Sequence, residues 1–159
     1  MPQIERDYVI PGRVFFAFRN LPIEALHPQA FRAAQWATCG QRQGVFWTLH
    51  DALFKQQDRL DDAGILVTVQ NLAMDGSKIA QCVAANETSA NIREEMRSAE
   101  TMGLRGTPTI FIGTMDARGD MIVSARIGGS RPIAEFTAAL DRALQIHAST
   151  SRPVGSQTP

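Results

Sequence analysis

Apolar and polar positions change rhythm twice along this chain, and each change predicts a different kind of element. Val14-Phe15-Phe16-Ala17-Phe18 is apolar at every position. Apolar residues on both alternating faces suit a strand covered on each side by helices, so a strand is expected there, after the Pro11-Gly12 turn. Beyond Asn20-Leu21-Pro22 the period lengthens to that of a helix. Pro28 is placed to start a helix, where its missing N–H costs nothing. That helix carries Phe31, Ala34 and Thr38 on one stripe, with Gly40 placed to cap its end. Gly44 opens the next, in which Phe46, Leu49 and Leu53 recur at helical spacing beside Trp47 and Phe54. Asp61 to Gly64 reads as a break. A helix follows over Val67–Ala73, then a short one carrying Ile79, Cys82 and Val83. A longer one runs from a Thr88 cap through Ile92, Met96, Ala99 and Met102.

The rhythm then becomes that of strands. Thr109-Ile110-Phe111-Ile112 is one. Met121 to Ile127 is another, where Met121, Val123, Ala125 and Ile127 alternate with Ser124 and Arg126, which predicts one buried and one wetter face. Ser130 is placed to cap a final helix, with Pro132 in its first turn and Ile133, Phe136, Leu140 and Leu144 as the buried stripe. Ala148 to Pro159 is small, polar and proline-containing, and reads as a disordered tail.

Composition narrows the function classes. At 159 residues and 44% apolar content the chain is one domain with a real core. Lysine plus arginine equals aspartate plus glutamate, at 16 each, so charge gives no case for nucleic acid or an acidic membrane as partner. No apolar run approaches the ~18 residues of a membrane-spanning helix. The first residues lack a secretory pattern, so the chain as written is expected in the cytoplasm, or in the periplasm if its true start lies upstream.

The chemistry concentrates in Gly106-Thr107-Pro108-Thr109, which runs straight into the apolar Ile110-Phe111-Ile112. Only X-Pro bonds adopt the cis form cheaply, at about 0.5–1 kcal/mol, and a cis bond is expected between Thr107 and Pro108. Taken alone, an ordinary turn entering a strand reads as well. Cys39 and Cys82 lie far apart and read as small buried hydrophobes, without the paired spacing of a zinc site. Cys39 sits at the C-terminal end of its helix, where the dipole disfavours a thiolate nucleophile. His27, His50 and His147 share no ligand spacing. His50 and Asp51 are adjacent on a helix and are expected not to face each other. Trp36, Phe46, Trp47 and Phe54 read as helix packing. No metal site, cofactor or catalytic residue is expected.

From Arg13 to Leu144 the chain resembles the DsbA family of thiol-disulfide oxidoreductases. The likeness is carried by Phe18-Arg19-Asn20-Leu21-Pro22, Cys39-Gly40, Gln43-Gly44-Val45-Phe46-Trp47 with His50-Asp51, the Gly76 to Cys82 helix, Gly103 to Thr109, and Gly128-Gly129, all in the family's order. It implies a thioredoxin-like α/β fold over residues 1–147, with a helical insertion at about 24–103. Gly106, Thr107 and Pro108 would be the substrate-binding cis-proline loop, and an extended polypeptide or a thiol protein the partner. Cys39 and Cys82 would form a disulfide in an oxidising compartment and remain thiols in a reducing one.

The departure is at the start. Family members begin with a strand leading to Cys-Pro-x-Cys at a helix N-terminus, where the dipole stabilises a thiolate. Here Ile4 to Val9 looks like the tail of that helix, and the fold reads as N-terminally truncated. The expectation is a member of the class that keeps the substrate loop without redox turnover. The alternatives are a non-enzymatic peptide-binding module, a fragment of a full oxidoreductase with a misassigned start, and a glutathione-using relative. The missing strand belongs between residues 14–18 and 109–112, so self-association through unpaired strand edges is expected.

Overall fold

The helical rhythm after Pro22 becomes a unit of its own, Arg19–Arg105, in a computed structural model that describes residues 2–150. Its helices are α2 (Ala30–Gln41), α3 (Phe46–Lys55), α4 (Asp62–Asn71), α5 (Gly76–Ala84) and α6 (Ser89–Thr101). Apolar residues at helical spacing bring Trp36, Cys39, Leu49, Leu53, Ile65, Val69, Ile79, Cys82 and Val83 into one core. Leu49, Ile65, Val69 and Ile79 have no exposed surface. Each such side chain contributes about 1.5–3 kcal/mol by leaving water.

Several helix ends differ from the sequence reading, each for a local reason. Pro28 does not start the first helix, which begins at Ala30. Gly40 does not end it either. It lies buried inside α2, where a Cβ would crowd the Val45 and Leu49 side chains at 3.3 Å, so its value is in packing. The residue that turns the chain is Gly44, at φ +72, and α3 then begins at Phe46. Asp61 to Gly64 is a start rather than a break. The Asp61 side chain accepts the Gly64 N–H at 2.9 Å and caps α4, which begins at Asp62, five residues before the expected Val67. Thr88 does stand at the N-cap of α6, but its side chain makes no capping bond there.

The second unit holds the chain up to Phe18 and from Gly106 onward. It contains α1 (Pro2–Ile4) continuing into a π-helical turn (Glu5–Val9), β1 (Thr109–Met115), β2 (Met121–Gly128) and α7 (Ile133–Thr150). β1 and β2 pair antiparallel, from Thr109 opposite Gly128 to Met115 opposite Met121, with a bulge after Ile112. The bulge needs a glycine. A Cβ on Gly113 would collide with the Ile122 carbonyl. α7 packs on the hairpin through Ala139 and Ala143 against Ile112, with Ile110, Ala125, Ile127 and Leu140 around them. The Tyr8 hydroxyl donates to Asp141 of α7 at 3.0 Å.

Three expectations fail here. Val14 to Phe18 forms no strand, and Phe15 is 92% exposed. Its apolar pattern fits a covered strand, but a strand exists only as part of a ladder, and the sheet of the described residues has β1 and β2 alone. The alternating faces of β2 are not divided into buried and wet: Met121 and Val123 are 44% and 49% exposed, and only Ala125 and Ile127 are partly covered. The reach of α7 decides this, because its contact falls on the Gly128 end of the strand. The stripe of α7 also shifts, with Ala139 and Ala143 the most buried and Ile133 exposed. Small residues let the helix approach the sheet closely. α7 begins at Ile133, so Ser130 lies outside its first turn, and it continues through Thr150, three residues into the expected tail; residues 151–159 lie outside the described part. The architecture is mixed α/β, helices with a small antiparallel sheet.

Candidate functional site

The Gly106–Thr109 segment enters β1 as one tied loop. The Thr107–Pro108 peptide bond is cis. Proline has no N–H to give, but its carbonyl accepts the Gly129 N–H at 2.8 Å, which anchors the loop to the far end of β2. The Thr109 hydroxyl donates to the Gly106 carbonyl at 2.9 Å and closes the loop on itself. Between these two anchors Thr107 and Pro108 are exposed. The loop is held at both ends and exposed in the middle.

The Pro108–Gly129 bond also fixes which way the strand faces. In an antiparallel ladder, hydrogen-bonded and non-hydrogen-bonded pairs alternate. Pro108 and Gly129 are a bonded pair, so Thr109 and Phe111 fall on non-bonded positions, opposite Gly128 and Arg126. Their backbone N–H and C=O groups therefore turn away from β2. Among the described residues, no strand pairs with that side of β1.

Cys39 and Cys82, read from the sequence as buried, are bonded to each other, with Cα atoms 5.9 Å apart. Both are in the helical core, 1% and 6% exposed, and the Thr88 hydroxyl lies 3.9 Å from the Cys39 sulfur. The chain's two cysteines are thereby both committed, and neither is a free thiol. Among the described residues no group of His, Cys, Asp and Glu could hold a metal ion.

Two arrangements escaped the sequence reading. His50 and Asp51 do meet, with Nδ1 2.9 Å from the carboxylate; His50 is the more covered of the two. The second is a clamp on Arg19-Asn20. One Glu95 oxygen accepts both the Asn20 backbone N–H, at 2.8 Å, and its side-chain amide, at 2.7 Å, while the other pairs with Arg19 at 3.0 Å. Nothing in the local pattern links these residues. Elsewhere in the same unit Asp62 is held at a pKa of about 2, first by the Arg32 guanidinium bonded to it and then by the Trp36 N–H, against the opposing effect of burial. A shallow cleft of about 380 Å³ there is lined by Leu21, Arg93, Met96, Arg97, Glu100 and Leu104.

Known proteins share parts of this sequence. A family model described as thioredoxin matches residues 1–141. The Na(+)/H(+) antiporter NhaA 3 of Salinispora tropica is 31% identical over 111 residues, which cover 70% of this chain and 17% of that protein. The Na(+)/H(+) antiporter NhaA 1 of Mycolicibacterium vanbaalenii is 28% identical over 67% of this chain and 18% of its own length. The Na(+)/H(+) antiporter NhaA of Nitrosospira multiformis is 31% identical over 64% and 16%. The chain thus spans about a sixth of the length of these curated relatives. No solved structure matches it. No helix among the described residues is long and apolar enough to cross a membrane.

Proposed function

This chain belongs to the thioredoxin family, and we propose that within it the chain acts as a polypeptide-holding module of DsbA-like type, without dithiol turnover. The observation that carries this reading is the exposed Thr107, held between two hydrogen-bonded anchors at the start of an open strand edge. An extended polypeptide laid against that segment gains main-chain hydrogen bonds by strand addition, a mode that accepts many sequences because the backbone supplies the contacts. Redox turnover would need a thiolate that attacks a substrate disulfide and a second cysteine that resolves the product. The chain's cysteines are instead buried in a bond within the helical core, away from solvent. This arrangement supports holding over exchange. Ion antiport stays with the relatives that bear that name.

The test uses a fluorescein-labelled extended peptide with an S-methylated central cysteine, titrated with the full chain. Saturable binding is expected, weakened at least tenfold by Thr107→Arg, which fills the exposed middle of the loop; tenfold is about 1.4 kcal/mol. Insulin reduction by the same preparation should stay at background. No binding overturns the holding role, and robust insulin turnover overturns the inactive one.

A further inference from the structure

We propose that the cleft on α6 binds an acidic segment of a polypeptide: a carboxylate side chain settles between Arg93 and Arg97, and an aliphatic side chain beside it rests on Leu21, Met96 and Leu104. The site lies wholly within the helical unit and does not rest on the reading of the Thr107 loop. Three observations carry it. First, the lining is held in place by the fold. Arg93, Met96, Arg97 and Glu100 recur at i, i+3, i+4 and i+7 and so share one face of α6. Gly103, at φ +67, ends that helix with its N–H on the Glu100 carbonyl at 2.8 Å, and the Leu104 N–H reaches back to the Ala99 carbonyl at 2.9 Å. This is a glycine-capped helix end, which folds the next apolar side chain back onto the helix. Leu21 is held through its neighbours, because the two Glu95 oxygens grip Asn20 and Arg19.

Second, the cleft has an apolar floor and a charged rim. Leu21, Met96 and Leu104 are half-buried, while Arg93, Arg97 and Glu100 are exposed. Its volume of about 380 Å³ is within the range that takes a ligand's apolar part, and its shallowness suits one side of a passing chain better than an enclosed small molecule. Third, the charge is arranged for an acid. Arg93 and Arg97 stand one turn apart, with Cβ atoms about 5–6 Å from each other, close enough for one carboxylate to meet both guanidinium groups. The Arg93 guanidinium lies over the Phe31 ring, 5.5 Å from its centre, which limits where it can swing. Arg97 pairs with Glu94, but both side chains are 66% exposed, and so wet a pair yields readily to a second carboxylate. Glu100 lies two turns beyond Arg93 and repels an acid there, so the carboxylate is confined to the arginine end.

Titration calorimetry of the full chain with an acetylated, amidated peptide that alternates Glu and Leu tests the proposal. Contacts this exposed bind weakly, so a dissociation constant of about 10 µM to 1 mM is expected. It should rise about tenfold or more with Arg93→Gln and Arg97→Gln together, and about as much when Gln replaces Glu in the peptide. Raising sodium chloride from about 20 mM to about 500 mM should weaken binding too, since salt screens exposed charges. Thr107→Arg should leave it unchanged, and the neutral S-methylated peptide should be indifferent to the arginine variant, so the two surfaces are tested apart. No saturable binding at either of two temperatures overturns the proposal. So does a Gln or Lys peptide that binds as tightly as the Glu peptide, or binding that is lost with Thr107→Arg and kept in the arginine variant. If the double variant fails to fold by circular dichroism, the Glu, Gln and Lys peptides decide alone.

Discussion

The helical unit and the hairpin unit solve the same problem with unequal means. Arg19–Arg105 builds its core from α2, α3, α4 and α5, keeps Leu49, Ile65, Val69 and Ile79 wholly dry, and ties α2 to α5 by the Cys39–Cys82 bond. The hairpin unit buries Ile112, Ala139 and Ala143, leans on one helix, and leaves Phe15, Met115 and Ile122 at 92%, 65% and 59% exposed. A bundle can close on itself because every helix satisfies its own backbone. A sheet satisfies its edges only with neighbours. The consequence is a contrast in burial: the helical unit encloses its core, and the hairpin unit leaves much of its sheet to solvent.

The strongest way to break that contrast is to remove the disulfide. Its partners are 43 positions apart, and closing such a loop restricts the unfolded chain by an amount worth about 4 kcal/mol in the chain-entropy model. Cys39→Ala with Cys82→Ala should lower the denaturant midpoint of the helical unit accordingly. Hydrogen exchange should quicken in α2 and α5 and leave β1 and β2 unchanged. Equal quickening in both units would show that they unfold as one.

A matched pair of core truncations sharpens the comparison. Leu49→Ala opens a cavity in a core that cannot easily collapse, so its cost should lie in the upper part of the roughly 2–5 kcal/mol range for such changes. Ile112→Ala, 6% exposed beside a thin layer, should fall in the lower part because water and neighbours fill the space. Chemical denaturation read separately from Trp fluorescence, which reports the helical unit through Trp36 and Trp47, and from hydrogen exchange in β1 and β2 measures both. The reverse ranking would contradict the contrast in packing.

The smallest expected effect is acid dependence confined to the helical unit. Arg32 and Trp36 hold the Asp62 carboxylate at a pKa of about 2, below the unfolded value of about 3.9. Folding therefore favours the charged form. Its contribution is complete above the unfolded value and is lost as pH falls toward about 2. Asp62 is half exposed, with its side chain at 54%, so solvent and salt weaken the effect. Asp62→Asn should flatten the dependence of the thermal midpoint between about pH 4 and pH 2 and leave it unaltered near neutrality. A variant as acid-sensitive as the parent would place the dependence elsewhere.

The sequence by itself determined what depends on near neighbours. The helices, the two strands and the loop at Thr107 follow from periodicity, glycine placement and proline chemistry within a few residues. The apolar spacing of α3 and α5 named Leu49, Leu53, Ile79, Cys82 and Val83 in advance. The stripe expected on α2, Phe31, Ala34 and Thr38, is only partly buried, and Trp36, Ala37 and Cys39 enter the core in its place. At Gly40 and Asp61 the local signal pointed to a cap and a break, and packing and capping decided otherwise. Only the tertiary structure decided what depends on distant partners. Val14 to Phe18 has the composition of a buried strand and forms none, since a ladder requires a neighbour that no local pattern supplies. Glu95 grips Asn20 across 75 positions, and Cys39 meets Cys82 across 43. The pairing of β1 with β2 is of the same kind. It is a property of what stands beside the strand, which a chain read in one dimension does not contain.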